Sequence, residues 1–379
     1  MSTKPRVLFV GRMRYHLPLP AWLAKKWDAV ERELDYRVVG AASADSAPSD
    51  ARFRLTPPFR PHLLDGFFFY MRLPFRVRKH IRDFRPDAIF ASDPVLGAAA
   101  LFGRALAGGR SRVIVEVHGD WRTFARAYGS PSRRLIAPVV DVLAAGAVKH
   151  ADATRAVSTY TSKLIEDVRG VAPSAVFTAF SDLSAFTERP PAPLPERPTV
   201  VFVGSLEPYK NIEGLGDAWR LVAEQLPEAR LVIIGSGSQQ FVVKRLLADF
   251  PGRVEHHEWL DPGAVSETLD DSTVLVLPSW PEGLGRVIIE SFARGRAVVA
   301  TDAGGIPDLV THGVEGLLVP PADPITLASA LARVLGDREL AEQMGAAARA
   351  RYADWHSTPD ELAREMRALV DATIAGTAR

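Results

Sequence analysis

The chain has 379 residues, 47% apolar and 24% charged, enough for two or three domains with sizeable cores. Its 46 basic and 45 acidic side chains leave a net charge of +1, which speaks against a general nucleic-acid binder. Cysteine is absent, so disulfides, thiol nucleophiles and cysteine metal sites are excluded. The short apolar run after Lys4-Pro5-Arg6 is too brief for a signal-peptide core, and the expected compartment is the cytoplasm.

The apolar run 7–10 predicts a first strand ending at Gly11, then a long loop bearing Arg12, Arg14 and His16. An amphipathic segment over 21–34 predicts a helix, and 36–42 the next strand, a βαβ opening of the kind that builds open parallel sheets. Residues 43–62, rich in Ser, Asp and Pro, read as loop. The segment 66–84, GFFFYMRLPFRVRKHIRDF, joins aromatics to a basic run. It fits a helix lying peripherally on an anionic membrane, at the inner face for a cytoplasmic protein. It also fits the commoner case, a core-facing helix with a solvated basic face. Strands follow at 85–93 and 113–120, the second ending in His118-Gly119-Asp120-Trp121; helical patterns fill 132–151, and 153–158 is a short strand.

Residues 187–198 hold five prolines and read as a stiff linker, after which a strand at 199–204 restarts an α/β pattern. The most informative stretch is 273–308. It contains a buried strand (274–277), a loop with Pro281, Gly283 and Gly285, and a helix over 286–294 stopped by Gly295. A second buried strand (297–300) and Gly304-Gly305 complete it. Glu282 lies in the loop and Glu290 one turn into the helix. Carboxylates so placed can accept strong hydrogen bonds from neighbouring hydroxyls of a polyol, at the strand ends where open α/β sheets hold ligands. His256 and His257 are adjacent on a strand and point to opposite faces, so they do not share an ion, and no metal is expected. Thr358-Pro-Asp-Glu361 is a capping box that starts a last helix, running to about residue 375.

VLPSWPEGLGRVIIESFARGRAVVATDAGGIPDLVTHGVEGLLVPP, together with VFVGSLEPYKN (201–211), LVIIGSGS (231–238) and EVHGDW (116–121), resembles the donor signature of glycosyltransferase family 4. These are retaining GT-B enzymes with a Glu-x7-Glu motif. The resemblance implies an α/β, GT-B architecture of two Rossmann-like domains with mostly parallel sheets facing a central cleft. An acceptor domain would span 1–189, with the C-terminal helix 358–379 packing back on it. A proline-rich linker would occupy 190–198, and a nucleotide-sugar donor domain 199–357.

The activity so implied is metal-independent transfer of a sugar, with retention, from a UDP- or GDP-sugar to an acceptor hydroxyl. The nucleotide-sugar is a co-substrate and no cofactor is implied. His118, Lys210 and Glu282 fall at catalytic positions. Gly11, Ser205, Lys210, Glu282, Gly283, Leu284, Gly285, Arg286 and Glu290 fall at donor-binding positions, with the base near Trp259–Asp261. Arg12, Arg14, His16, Asp120 and Trp121 are acceptor-side candidates. No nucleophile is assigned, because attack on the leaving group's own face is the usual account for such enzymes.

One departure stands out. Ser205 occupies the place of a family arginine that assists Lys210 at the diphosphate. A cation about 4 Å from a phosphate contributes roughly 4 kcal/mol at intermediate dielectric. A helix dipole contributes only about 0.3–1 kcal/mol. Arg286, where the family commonly has an apolar residue, is expected to restore the second cation, the alternative being a solvated helix arginine.

Rival readings remain. A GT-B nucleotide-sugar hydrolase or epimerase would use the same donor site, and a non-catalytic sugar-binding protein would share the two-domain layout. A dinucleotide oxidoreductase fits poorly, since Gly11-Arg-Met-Arg and Gly235-Ser-Gly237 before Gln240 lack its glycine fingerprint. The donor base and sugar, the acceptor (lipid, polysaccharide, natural product or polyol) and the oligomeric state do not follow from the sequence.

Overall fold

A computed structural model of the protein describes residues 4–47, 49–60, 65–122 and 131–378. Position 48 and positions 61–62 of the expected loop, and position 379 of the expected last helix, lie outside the described residues. The chain forms two compact units, one of Met1–Phe180 with Ser357–Arg379 and one of Ser181–His356.

The first unit holds a seven-stranded sheet in the order β3-β2-β1-β4-β5-β6-β7, every neighbouring pair parallel. Its strands are β1 (Arg6–Tyr15), β2 (Asp35–Ala42), β3 (Phe53–Thr56), β4 (Ala88–Ala91), β5 (Arg112–Val117), β6 (Ala153–Ala156) and β7 (Ala175–Val176). The second unit holds a six-stranded parallel sheet in the order β10-β9-β8-β11-β12-β13. Its strands are β8 (Thr199–Val203), β9 (Arg230–Ile234), β10 (Val254–His257), β11 (Val274–Leu277), β12 (Ala297–Thr301) and β13 (Gly316–Val319). The central strands β4 and β11 are apolar and buried along their whole length, as expected where helices cover both faces. In each sheet the order reverses at one point, between β1 and β4 and between β8 and β11. Loops leaving those strands diverge to opposite faces and open a crevice at the strands' carboxyl ends.

Three local readings change. The first strand does not stop at Gly11. Its pairing with β2 shifts register between Val10 and Arg14, after which Tyr15 faces Ala42 and is buried, edge-on to Phe53 at 5.2 Å. The polar Arg12 and Arg14 mask this continuation. The loop over 43–62 contains β3, whose four residues alternate buried and half-buried within a polar stretch. The proline-rich segment belongs to the second unit. Arg294 donates to the carbonyls of Arg189 (2.8 Å) and Pro190 (2.9 Å), Arg296 to that of Ala192 (2.8 Å), and Arg338 to that of Leu194 (2.9 Å). The extended segment leaves these carbonyls free to accept, and buried Arg294 and Arg296 and exposed Arg338 take them up.

The helix Asp65–Phe84 buries Phe69, Leu73, Val77, Ile81 and Phe84 in the first unit's core, as the core-facing alternative requires. Phe67, Met71 and Phe75 stay exposed. Among the described residues, no helix is long and apolar enough to cross a membrane. The last helix, Pro359–Ala375, starts at the Thr358/Glu361 capping box. It buries Leu362, Met366, Leu369 and Val370 in the core formed by Val7, Trp27, Val30 and Phe90. Burying such side chains contributes roughly 1.5–3 kcal/mol each before entropy is counted, which fixes the far end of the chain to the first unit.

Candidate functional site

In the second unit, the loops after β8 and β11 flank the switch point and meet. Lys210 ends a short turn, Pro208–Lys210, and Glu282 lies in the loop after β11. Lys210 Nζ donates to Glu282 Oε1 at 2.7 Å, although the residues are 72 apart in sequence. Both side chains are about nine-tenths buried, at 9% and 12% exposure. The Trp280 N–H donates to the Tyr209 carbonyl at 2.7 Å and ties the loops together beside this pair.

Glycines in neighbouring loops back each of these two loops closely. A Cβ on Gly304, which sits at φ +64, would lie 2.2 Å from the Glu282 carbonyl oxygen, and one on Gly305 would lie 2.1 Å from that of Gly283. The Gly305 N–H instead donates to the Glu282 carbonyl at 2.8 Å. Gly235 does the same for the first loop, since a Cβ there would stand 1.8 Å from the Gly204 carbonyl oxygen. These glycines therefore act through close backbone packing, which no side chain would allow.

Gly285, at φ +85, is the N-cap of the helix Arg286–Ala293 and offers no side chain to its first turn. Leu284 is buried, so this loop turns backbone rather than side chain outward, and uncapped N–H groups at a helix start favour an anion. Arg286 is exposed at that start. Glu290 is half-buried; burial pushes its carboxyl up to about 6, while Arg286, one turn earlier, pulls it down. Ser205 is exposed, with its hydroxyl 3.1 Å from that of Tyr209. The structure thus brings Lys210 against Glu282, and Arg286 within electrostatic reach of Glu290, on one carboxyl edge.

In the first unit the expected residues are more scattered. Gly11 lies within β1, where a Cβ would meet Ser92 Oγ at 3.4 Å. The Arg12 guanidinium sits over the Tyr70 ring at 5.3 Å, Arg14 pairs with Asp65 at 3.0 Å, and His16 Nδ1 is 3.3 Å from Ser43 Oγ. Asp120 accepts from the Arg122 side chain at 2.9 Å. Trp121 is buried in the core rather than lining a surface. Its apolar ring packs there, and its indole N–H has no hydrogen-bond partner among the described residues.

His118 has backing that sequence reasoning missed. Its Nε2 lies 3.5 Å from Glu116 Oε2, and the other Glu116 oxygen accepts from buried Arg155. Arg155 faces Glu116 across the β5–β6 ladder, donates to the Phe177 carbonyl at 2.7 Å and stacks over the Phe177 ring at 3.9 Å. Burial pushes the Glu116 carboxyl up, but Arg155 and His118 outweigh it and hold it at about 2. The same charge, added to burial, lifts the Tyr15 hydroxyl above its ordinary range. A signal did exist: Glu116 and Arg155 are lone charges inside otherwise apolar strands, which usually means each has a partner.

Among the described residues, no group of three or more His, Asp or Glu is placed to hold a metal ion. His256 Nε2 lies 2.8 Å from the Gly235 carbonyl oxygen and His257 Nε2 2.7 Å from Glu255.

Comparison with known proteins accounts for both units. Residues 185–351 match the family model described as glycosyl transferases group 1, and residues 23–179 match that of glycosyltransferase family 4. A D-inositol 3-phosphate glycosyltransferase of Jonesia denitrificans is 35% identical over 226 residues, 55% of this chain and 53% of that protein. The sulfoquinovosyl transferase SQD2 of Arabidopsis thaliana is 34% identical over 45% of this chain and 33% of its own length. The chain thus spans about a third to a half of these relatives. A GDP-mannose-dependent alpha-(1-6)-phosphatidylinositol monomannoside mannosyltransferase of Mycobacterium tuberculosis is 28% identical over 82% of this chain and 81% of its own. Among solved structures, a sucrose-phosphate synthase from Thermosynechococcus elongatus superposes with a TM-score of 0.77 at 18% identity. It covers 98% of this chain and 100% of that one. Anabaena HepE in complex with UDP-glucose superposes with a TM-score of 0.69 at 17% identity, over 95% and 98% of the two chains. With both units matched by their family models and the architecture shared with these structures, the chain belongs to glycosyltransferase family 4 and has the GT-B fold.

Proposed function

We propose that this protein transfers a sugar from a nucleoside-diphosphate sugar to an acceptor hydroxyl, with retention of configuration and without a metal ion. The reading rests on one observation: two distant loops are built to bury Lys210 against Glu282 beside an uncapped helix start. A bound UDP-glucose in the structurally similar HepE supports a nucleotide-sugar as the donor class.

In this reading the diphosphate draws Lys210 away from Glu282 and also meets the N–H groups of Gly283–Gly285 and the Arg286 guanidinium. Glu282, released, accepts from hydroxyls of the transferred sugar, and Glu290 accepts from those of the ribose. The bond between the anomeric carbon and the leaving phosphate oxygen breaks, and a bond to the acceptor oxygen forms on the same face. The acceptor proton passes to the departing phosphate. Fixed cations and amides aimed at that oxygen typically account for about 10²–10³ in rate per donor. His118, braced by Glu116, orients the sugar or the leaving group. The cysteine-free chain suits a reducing compartment, and we assign the reaction to the cytoplasm.

Thermal shift against UDP, GDP, ADP, TDP, NAD and their sugars, with and without EDTA, tests this. Stabilisation by one nucleoside diphosphate, unchanged by EDTA and lost in Lys210→Met, is expected. Stabilisation by NAD alone, or by none of them, sinks the reading. Release of free sugar without any acceptor would instead identify a hydrolase using the same donor site.

A further inference from the structure

At the opposite edge of the first sheet, before the amino ends of β4 and β5, lies a cavity of about 660 Å3. Four arginines line it (Arg82, Arg85, Arg110 and Arg112) against one carboxylate, Asp87. Two of these charges are already engaged. Arg112 donates to Asp152 at 3.0 Å, and Asp87 accepts from the Arg6 backbone N–H at 2.8 Å. The guanidinium groups of Arg82, Arg85 and Arg110 have no hydrogen-bond or ion-pair partner among the described residues.

Arg85 is also out of place by backbone chemistry. It stops the helix Asp65–Phe84 at φ +50, with its N–H donating to the Ile81 carbonyl at 3.1 Å. The neighbouring helix, Pro94–Ala107, is stopped in the same way by Gly108 at φ +61. Glycine takes that conformation freely, whereas a side chain there strains the backbone. The chain thus keeps a cation where helix termination alone calls for glycine.

Capping does not explain the cluster. Among the last-turn carbonyls, Phe84 accepts from the Arg6 side chain, Arg104 from the Gly109 N–H and Ala105 from the Gly108 N–H, and none of the described residues' carbonyls takes a bond from the Arg82, Arg85 or Arg110 side chain. Three arginines without an ion-pair partner, all exposed, line one cavity, and planar guanidinium forks match phosphate oxygens.

We propose that this cavity binds a phosphate-bearing anion. Ile81 and Ile374 give it apolar wall, so the ligand carries an organic part beside its phosphate. That chemistry has two sources, a soluble phosphate ester and the headgroup of an anionic phospholipid. The exposed Phe67, Met71 and Phe75 on one of the two helices and Phe102 on the other supply apolar surface that the lipid source would use. The cavity lies in the first unit and Lys210 and Glu282 in the second, so the proposal stands apart from the donor site.

The test compares the parent with Arg82→Gln/Arg85→Gly/Arg110→Gln. Glycerol 3-phosphate binding is followed by calorimetry, and cosedimentation by vesicles of phosphatidylcholine alone or mixed with phosphatidylglycerol. Any phosphate uptake at Lys210 is common to both proteins and cancels in the comparison. Binding of glycerol 3-phosphate weakened about tenfold or more identifies the soluble source. A similar loss on the mixed vesicles, with phosphatidylcholine unchanged, identifies the headgroup. Equal binding by the two proteins, or no binding of either probe by the parent, overturns the proposal. Arg85→Gly alone guards against a folding defect. It removes the charge while supplying the glycine stop, so the melting temperature should hold or rise as anion binding weakens. A fall in melting temperature with anion binding intact would mean that Arg85 serves the fold, and would also overturn it.

Discussion

Both units bury an ion pair near the carboxyl edge of a parallel sheet, but they hold it in different ways. Glu116 and Arg155 face each other across adjacent strands, and Arg155 is further fixed by the Phe177 carbonyl and ring. Lys210 and Glu282 come from two loops that meet at the Trp280 N–H and the Tyr209 carbonyl, each backed by glycines of a neighbouring loop, and a single 2.7 Å bond joins their charges. The first pair is locked by the sheet and braces His118. The second can open when a stronger anion arrives, because a loop lysine loses little by exchanging a carboxylate for a diphosphate. A pair within a ladder supports a neighbour; a pair between loops can serve as a binding site.

The largest expected effect lies on the locked side. Arg155→Met leaves Glu116 buried without its partner, which typically costs about 3–5 kcal/mol. At roughly 2–4 °C per kcal/mol, the melting temperature should fall by about 10 °C. Adding Glu116→Gln to Arg155→Met should recover a good part of that loss by removing the orphaned charge. A single variant that melts like the parent would show that the ladder pair is no more structural than the loop pair.

Lys210→Met should divide the effects the other way. Donor affinity should fall about a hundredfold or more, in line with losing a charge-assisted contact to a diphosphate. The stability cost should be smaller than for Arg155, since Lys210 gives up one bond to Glu282, whereas Arg155 also gives up its bond to the Phe177 carbonyl and its stacking on that ring. A large stability loss with donor affinity intact, read by calorimetry and melting together, would reverse the assignment of roles.

Much of the second unit was legible because its chemistry lies in contiguous motifs. The strand–loop–helix over 274–294 gave Glu282, Glu290 and the glycines together, and VFVGSLEPYKN gave Lys210. The meeting of Lys210 with Glu282 depends on loops 72 residues apart, which no local pattern encodes. In the first unit the same limit weighs more heavily. Glu116 and Arg155 are visible as isolated charges in apolar strands, yet their pairing is a matter of register between β5 and β6. The extension of β1 to Tyr15 and the existence of β3 were hidden by polar residues that face outward while their neighbours pack. The proline-rich segment looked like a free linker because proline content reports stiffness and says nothing about the arginines waiting for its carbonyls.

Glu290 sharpens the comparison through pH. Its carboxyl titrates at about 6 when folded against an ordinary 4.5, so the folded chain holds that proton more tightly than the unfolded chain. The resulting stability is present below about pH 4.5 and is lost as pH rises toward 6. Ribose hydroxyls need the ionised form as acceptor, so donor affinity should rise as pH increases through about 6. Glu290→Gln should flatten that profile, weaken donor binding and raise stability at pH 7 by on the order of 1–2 kcal/mol. An unchanged pH profile in the variant would move the titration to another group.

The smallest effect is expected at Arg286, and it decides whether the loop pair works with a second cation. The side chain is exposed at the helix start, so solvent screens it and its contribution to a bound diphosphate should be modest. Arg286→Ala should weaken nucleoside-diphosphate binding about tenfold at low salt, with the gap narrowing as ionic strength rises and stability nearly unchanged. Removing Arg286 also removes the charge that pulls Glu290 down, so the midpoint of the pH profile should move upward. A midpoint shift with affinity untouched would make Arg286 a neighbour of Glu290 alone, leaving Lys210 and the loop amides to hold the diphosphate where Ser205 replaces the expected arginine.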